Sequence, residues 1–215
     1  STEIFYCETY VIINDTLLDS LNIVYFNYGD IMLNTEKKGI FHGKLFRLDG
    51  NMRILESAQY SNGLLMSSIW LDTLGNIVQL DSGYFLNNEY LSISKEFYSN
   101  QGLKKIIRYQ DMARISEEWF HSTGYKEKEI THTYFPGGVE INIQEFYPTG
   151  QIKVKSGYNY ETYDGKYIEY YKSGKVKVTG EHFKGEKRGR WIHYRPNGKI
   201  KFTSTYPEEI IIKEY

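Results

Sequence analysis

The chain has 215 residues, 26 Lys+Arg against 27 Asp+Glu, and a formal net charge of −1. With 40% hydrophobic and 25% charged residues it is not an intrinsically disordered sequence, and no apolar run reaches the roughly 18–20 residues of a membrane-spanning helix. One cysteine, Cys7, excludes an internal disulfide framework and a multi-cysteine zinc site, and 16% aromatic residues beside only 4 Pro favour strands over helices.

Taken in chain order, residues 1–22 read as atypical N-terminal capping strands, with Tyr10-Val-Ile-Ile13 as the core of one. Ser1 stands where a Met would, through either a trimmed chain or, the reading we lean to, a removed leader. That reading gives a periplasmic or cell-envelope setting, with the cytoplasm as the alternative. Cys7 is expected to be a strand side chain.

Residues 23–206 read as about eight β-hairpin units, best kept over 140–206. Turn glycines stand at Gly29, Gly50, Gly75, Gly102, Gly124, Gly150, Gly174 and Gly198. Four residues before them come Tyr25, Phe46, Leu71, Tyr98, Phe120, Phe146, Tyr170 and Tyr194, all large and apolar or aromatic. Two residues after them come Ile31, Met52, Ile77, Lys104, Lys126, Ile152, Val176 and Ile200, so units four and five are degenerate. Tyr147-Pro-Thr-Gly150 and Arg195-Pro-Asn-Gly198 carry the chemistry of a type I turn that ends in a left-handed glycine. This register pairs Phe146 with Ile152, Tyr170 with Val176 and Tyr194 with Ile200. It continues with Ile168–Val178 and Ile192–Phe202 on the same apolar face. The opposite face then sets Glu145 against Lys153, Glu169 against Lys177 and His193 against Lys201. Residues 207–215, with Ile210-Ile-Ile212, read as a C-terminal capping strand. The expected fold is all-β: tandem hairpins in one long antiparallel meander sheet. At about 4.8 Å per strand, sixteen strands make an elongated array of roughly 75 Å.

Charge is divided along the chain. Residues 1–150 hold 12 basic and 19 acidic side chains, whereas residues 151–215 hold 14 basic and 8 acidic. Cross-strand Glu–Lys pairs neutralise part of this basic block, and that weakens a reading as an anionic-lipid surface.

No nucleophile elbow, Walker loop, dinucleotide fingerprint or His-Glu-x-x-His pair occurs. Gly185-Glu-Lys-Arg-Gly189 reads as a connecting turn, since no helix follows it to present its N-terminus to a phosphate. His42, His121, His132, His182 and His193 fall at different phases of the repeat and share no metal geometry. The acids Glu117, Glu118, Glu127, Glu129, Glu208 and Glu209 read as solvated charge. We therefore expect no catalytic residue, no metal and no cofactor. The candidate binding residues are Trp191, Tyr167, Tyr171, Arg195, Lys175 and Lys199, with the three aromatics placed on the polar face, because Trp, Tyr and Arg carry most interface energy.

The stretches Gly165-Lys-Tyr167-Ile-Glu-Tyr170-Tyr-Lys-Ser-Gly174-Lys and Gly189-Arg-Trp191-Ile-His-Tyr194-Arg-Pro-Asn-Gly198-Lys resemble the MORN-repeat variant of the YwqK antitoxin family. The resemblance implies a bacterial protein and a repetitive sheet used for interaction. It points to a non-enzymatic role of antitoxin or immunity type, with another protein as partner and no nucleic acid. The alternative is a carbohydrate- or cell-envelope-binding protein that uses its aromatic stripe.

Overall fold

The computed structural model describes residues 5–13, 16–25, 30–159, 162–207 and 210–213, with side chains over 30–159 and 162–207. The fold is all-β, tandem antiparallel hairpins in a meander, with no helix among the described residues. It divides into two compact units, 1–113 and 114–215.

The first unit holds β1 (Phe5–Ile13), β2 (Thr16–Tyr25), β3 (Ile31–Lys37), β4 (Ile40–Leu48), β5 (Ile54–Ser61), β6 (Leu64–Leu71), β7 (Ile77–Leu86), β8 (Glu89–Phe97) and β9 (Leu103–Gln110). Each strand pairs antiparallel with the next. The second unit holds β10 (Ala113–Phe120), β11 (Lys126–Phe135), β12 (Gly138–Phe146), β13 (Ile152–Asn159), β14 (Thr162–Tyr170), β15 (Val176–Phe183), β16 (Glu186–Tyr194), β17 (Ile200–Tyr206) and β18 (Ile210–Lys213). Its pairing is also sequential. The stretches expected as caps, Tyr10–Ile13 and Ile210–Ile212, lie in β1 and β18.

Two turn types alternate. On one edge, two-residue turns such as Lys38-Gly39, Asn62-Gly63, Asn87-Asn88 and Lys184-Gly185 have positive φ at both positions, the type I′ geometry that matches strand twist. Gly185 thus closes a hairpin, as expected, while Gly189 lies inside β16. On the other edge, five-residue turns repeat one hydrogen-bond pattern. Arg195 N–H donates to the Lys199 carbonyl, and Gly198 N–H donates back to the Arg195 carbonyl, each at 2.8 Å.

This pattern corrects two of the expected turn glycines. At the second and fourth turns the left-handed residue is Met52 (φ 64) and Gln101 (φ 63), not Gly50 or Gly102. At the first, the Asp49 carboxylate braces the turn by accepting N–H bonds from Asn51 and Arg53 at 2.9 Å, as Asp72 braces the turn that keeps Gly75 left-handed. The cross-strand pairs there are accordingly Leu48–Ile54 and Phe97–Leu103. Unit four is therefore regular, and only Lys126, opposite Phe120, stands at an apolar position. Gly29 lies outside the described residues, although Tyr25 does pair with Ile31.

Phe146–Ile152, Tyr170–Val176 and Tyr194–Ile200 are paired as expected. The pairs beyond them are not. A one-residue bulge follows each of these three turns, so Val178 faces Glu169 and Phe202 faces His193, while Ile168 and Ile192 face Thr179 and Thr203. The extra residue reverses the alternation of every side chain after it. Lys153 and Lys177 sit on the bulges and still reach Glu145 (3.3 Å) and Glu169 (2.6 Å).

The core consequently lies on the face expected to be polar. In the second unit that face buries Ile143, Val154, Val178 and Trp191, together with Glu117, Ser156 and Ser204. In the first unit the equivalent row runs Asn34–Leu45–Ala58–Ser68–Asp81–Ser94–Ile107. Five of its seven members are buried: Asn34, Leu45, Ala58, Ser68 and Ile107.

Candidate functional site

Alternation along β14 and β16 puts Tyr167 and Trp191 on one face of the second unit, as the sequence suggests. There they join a run of ring contacts. Tyr158 meets Tyr163 edge-on at 4.8 Å, Tyr163 lies 5.3 Å from His182, and His182 meets Trp191 edge-on at 4.9 Å. Tyr167 packs on both His182 (5.5 Å) and Trp191 (5.3 Å), and Trp191 reaches Tyr206 at 6.3 Å. Lys187 Nζ lies over the Trp191 ring at 4.6 Å and over Tyr206 at 5.1 Å.

Burial divides these rings by role. Trp191 is only 2% exposed, so it is a core side chain and not an open platform. Its indole N–H donates to the Glu181 carbonyl at 3.2 Å. Gly180 makes room for it, because a Cβ there would overlap the indole ring. Tyr163 is 40% exposed, and Tyr158, Tyr167, His182 and Tyr206 are half-buried, so these five form the accessible part of the stripe. Burial raises the Tyr163 and Tyr167 hydroxyl pKa values. Burial, and after it the Lys187 ammonium, holds His182 below the ordinary histidine value.

The other expected binding residues lie elsewhere. Tyr171 opens the 171–175 turn, and its hydroxyl donates to the Tyr194 carbonyl at 2.7 Å, just as Tyr147 donates to Tyr170 at 2.8 Å. These bonds tie each turn to the hairpin that follows. Lys175, Arg195 and Lys199 are exposed along the same long-turn edge. A groove on that edge is lined by Ile168, Val176, Thr179 and Tyr194 together with Lys175 and Asn197. The sequence set therefore separates into a ring stripe on the sheet face and a basic strip along one edge.

Sequence reasoning missed Tyr158, Tyr163, His182 and Tyr206 as members of the stripe. The signal was available in part: Tyr163 and Tyr206 follow from the alternation through Tyr167 and Trp191 once the second set of bulges is placed. Glu117 is a correction of another kind. It is buried at 5% exposure, accepts from Arg114 Nη1 at 2.8 Å and lies 3.7 Å from His132 Nε2. Glu118 and Glu129 pair with Lys126 at 3.5 and 2.9 Å, while Glu208 and Glu209 lie outside the described residues. Among the described residues, no three His, Cys, Asp or Glu side chains converge as metal ligands would. No protein-family model matches the chain, and no curated protein matches it either.

Proposed function

We propose that the chain is a non-enzymatic repeat protein that binds another macromolecule, a protein, through the ring stripe of its second unit, with the basic long-turn edge as a flanking contact. The observation that carries this reading is the stripe itself. Tyr158, Tyr163, Tyr167, His182 and Tyr206 are locked ring against ring around a buried Trp191, yet each keeps part of its surface open. Rigid, partly exposed aromatics offer large contact area at little cost in rotamer entropy. Lys175, Arg195 and Lys199 add a positive rim suited to an acidic partner. An antitoxin- or immunity-like role is the form that the resemblance to the YwqK family gives this reading.

The test spares the fold by leaving Trp191 in place. Tyr163→Ala with His182→Ala, and separately Arg195→Ala with Lys199→Ala, are first matched to the wild type in melting profile. Capture of the native partner, identified by mass spectrometry, should weaken at least tenfold for the stripe variant, about 1.4 kcal/mol. Equal capture by both variants would remove the stripe and the edge as sites. Turnover of any small substrate by the purified chain would end the non-enzymatic reading.

A further inference from the structure

At the long-turn ends of β10, β11 and β12 lies an open groove of about 500 Å³ that shares no residue with the ring stripe. Its apolar walls are Trp119 at the end of β10, Tyr125 from the 121–125 turn, and Tyr147 with Pro148 from the 147–151 turn. The rings are held before any ligand arrives. The Tyr147 hydroxyl is bonded to the Tyr170 carbonyl, and Tyr125 stacks on His121 at 4.7 Å with only 15° between the planes. All three rings are half-buried, so each still presents a face.

Around these rings stand two carboxylates and two amines. Lys128 is the Cα partner of both Trp119 and Glu145, Glu127 sits on the adjoining bulge, and Lys153 bonds Glu145 at 3.3 Å. That balance decides between ligand classes. A bare organic cation is attracted by the rings and by Glu127, but Lys128 and Lys153 repel it and Lys153 already engages Glu145. A proline-rich peptide offers mainly carbonyl acceptors and would bring the Glu127 carboxylate no donor, while Glu145 keeps only its bond from Lys153. A sugar ring offers an apolar C–H face for the aromatics and a rim of hydroxyls that both donate and accept, which amines and carboxylates together satisfy.

We propose that this groove binds a neutral sugar ring of an oligo- or polysaccharide, stacked on Trp119, Tyr125 and Tyr147. The proposal does not rest on the protein-binding reading above. Cellotriose, chitotriose and maltotriose are titrated in turn into the full chain while the Trp119 indole N–H resonance is followed. At least one trisaccharide should shift that resonance saturably. Tyr125→Ala, a turn substitution, should weaken the binding at least tenfold, and Glu127→Gln should weaken it without altering the fold. The proposal is overturned if no trisaccharide shifts the resonance, or if binding survives both substitutions unchanged. It is equally overturned if tetramethylammonium or a polyproline peptide saturates the site and the sugars do not.

Discussion

In the first unit the row from Asn34 to Ile107 sets apolar Leu45, Ala58 and Ile107 beside polar side chains, and around Ser68 the polar groups bond to one another. Trp70 Nε1 donates to Ser68 Oγ at 3.1 Å, Ser68 donates to Asp81 at 2.6 Å, and Gln79 donates to the same carboxylate at 2.9 and 3.0 Å. In the second unit the corresponding row passes from Glu117 through Ile130, Ile143, Ser156, Tyr167 and Gly180 to Trp191 and Ser204. There ring packing replaces the hydrogen-bonded chain. The hairpin frame is common to both units, because turn chemistry and strand alternation alone set it. What fills the face is free to differ, since a meander asks only that each strand cover its two neighbours. The face of one unit carries a bonded Trp70–Ser68–Asp81–Gln79 cluster and that of the other aromatic area, and the two should fail in different ways.

The largest effect should come from the ring row. Trp191→Ala removes a side chain 2% exposed and should cost about 3–5 kcal/mol, read from chemical denaturation. A loss under about 1 kcal/mol would mean that Trp191 does not organise its unit. The polar row should respond less. Ser68→Ala takes away both the acceptor of the Trp70 indole and the donor to Asp81, and should cost about 1–3 kcal/mol. An equal cost for the two substitutions would erase the proposed difference between the units.

Acidity acts with opposite sign on the buried Glu56 of the first unit and on two histidines of the second. Burial, and after it the Lys187 charge, lowers both His182 and His193 below the ordinary 6.5. The unfolded chain then binds more protons as pH falls through 6.5, so their contribution is complete above that value and is lost toward the lowered native pKa. Burial raises Glu56 above the ordinary 4.5, against the opposing pull of Arg47. Its contribution is complete below 4.5 and is lost as pH rises through the raised native pKa. Denaturation midpoints at several pH values should therefore fall less steeply between pH 7 and 5.5 for His182→Gln with His193→Gln than for the wild type. Glu56→Gln should gain on the wild type as pH rises. A wild-type-like slope in either variant would contradict the assignment.

The smallest effect belongs to the bulge lysines. Lys177 and Glu169 are partly exposed, 42% and 21% at the side chain, so a double-mutant cycle on the pair should return about 0–1 kcal/mol. A coupling of several kcal/mol would show that these pairs, and not the rings, hold the second unit.

The sequence determined by itself that the chain is all-β and hairpin-built, and it located most of the long turns. Those features depend on contacts between neighbours in the chain: an aromatic four residues before a turn residue, an apolar partner two after it, and Pro, Asn and Gly between. The Gly50 and Gly102 assignments failed because Met52 and Gln101 take the left-handed position of the same turn, so glycine does not mark it there. Tyr167 and Trp191 were legible as neighbours because they recur at the same phase of the repeat. That the face they share is the buried one was not legible. One extra residue after a long turn such as 147–151, 171–175 or 195–199 reverses the alternation of all that follows. The burial of Trp191 and the grouping of Trp119 with Tyr125 and Tyr147 depend on strands many residues apart. Those outcomes were decided by tertiary structure alone, because bulge position and cross-strand packing are set by the strands that a segment meets and not by its own composition.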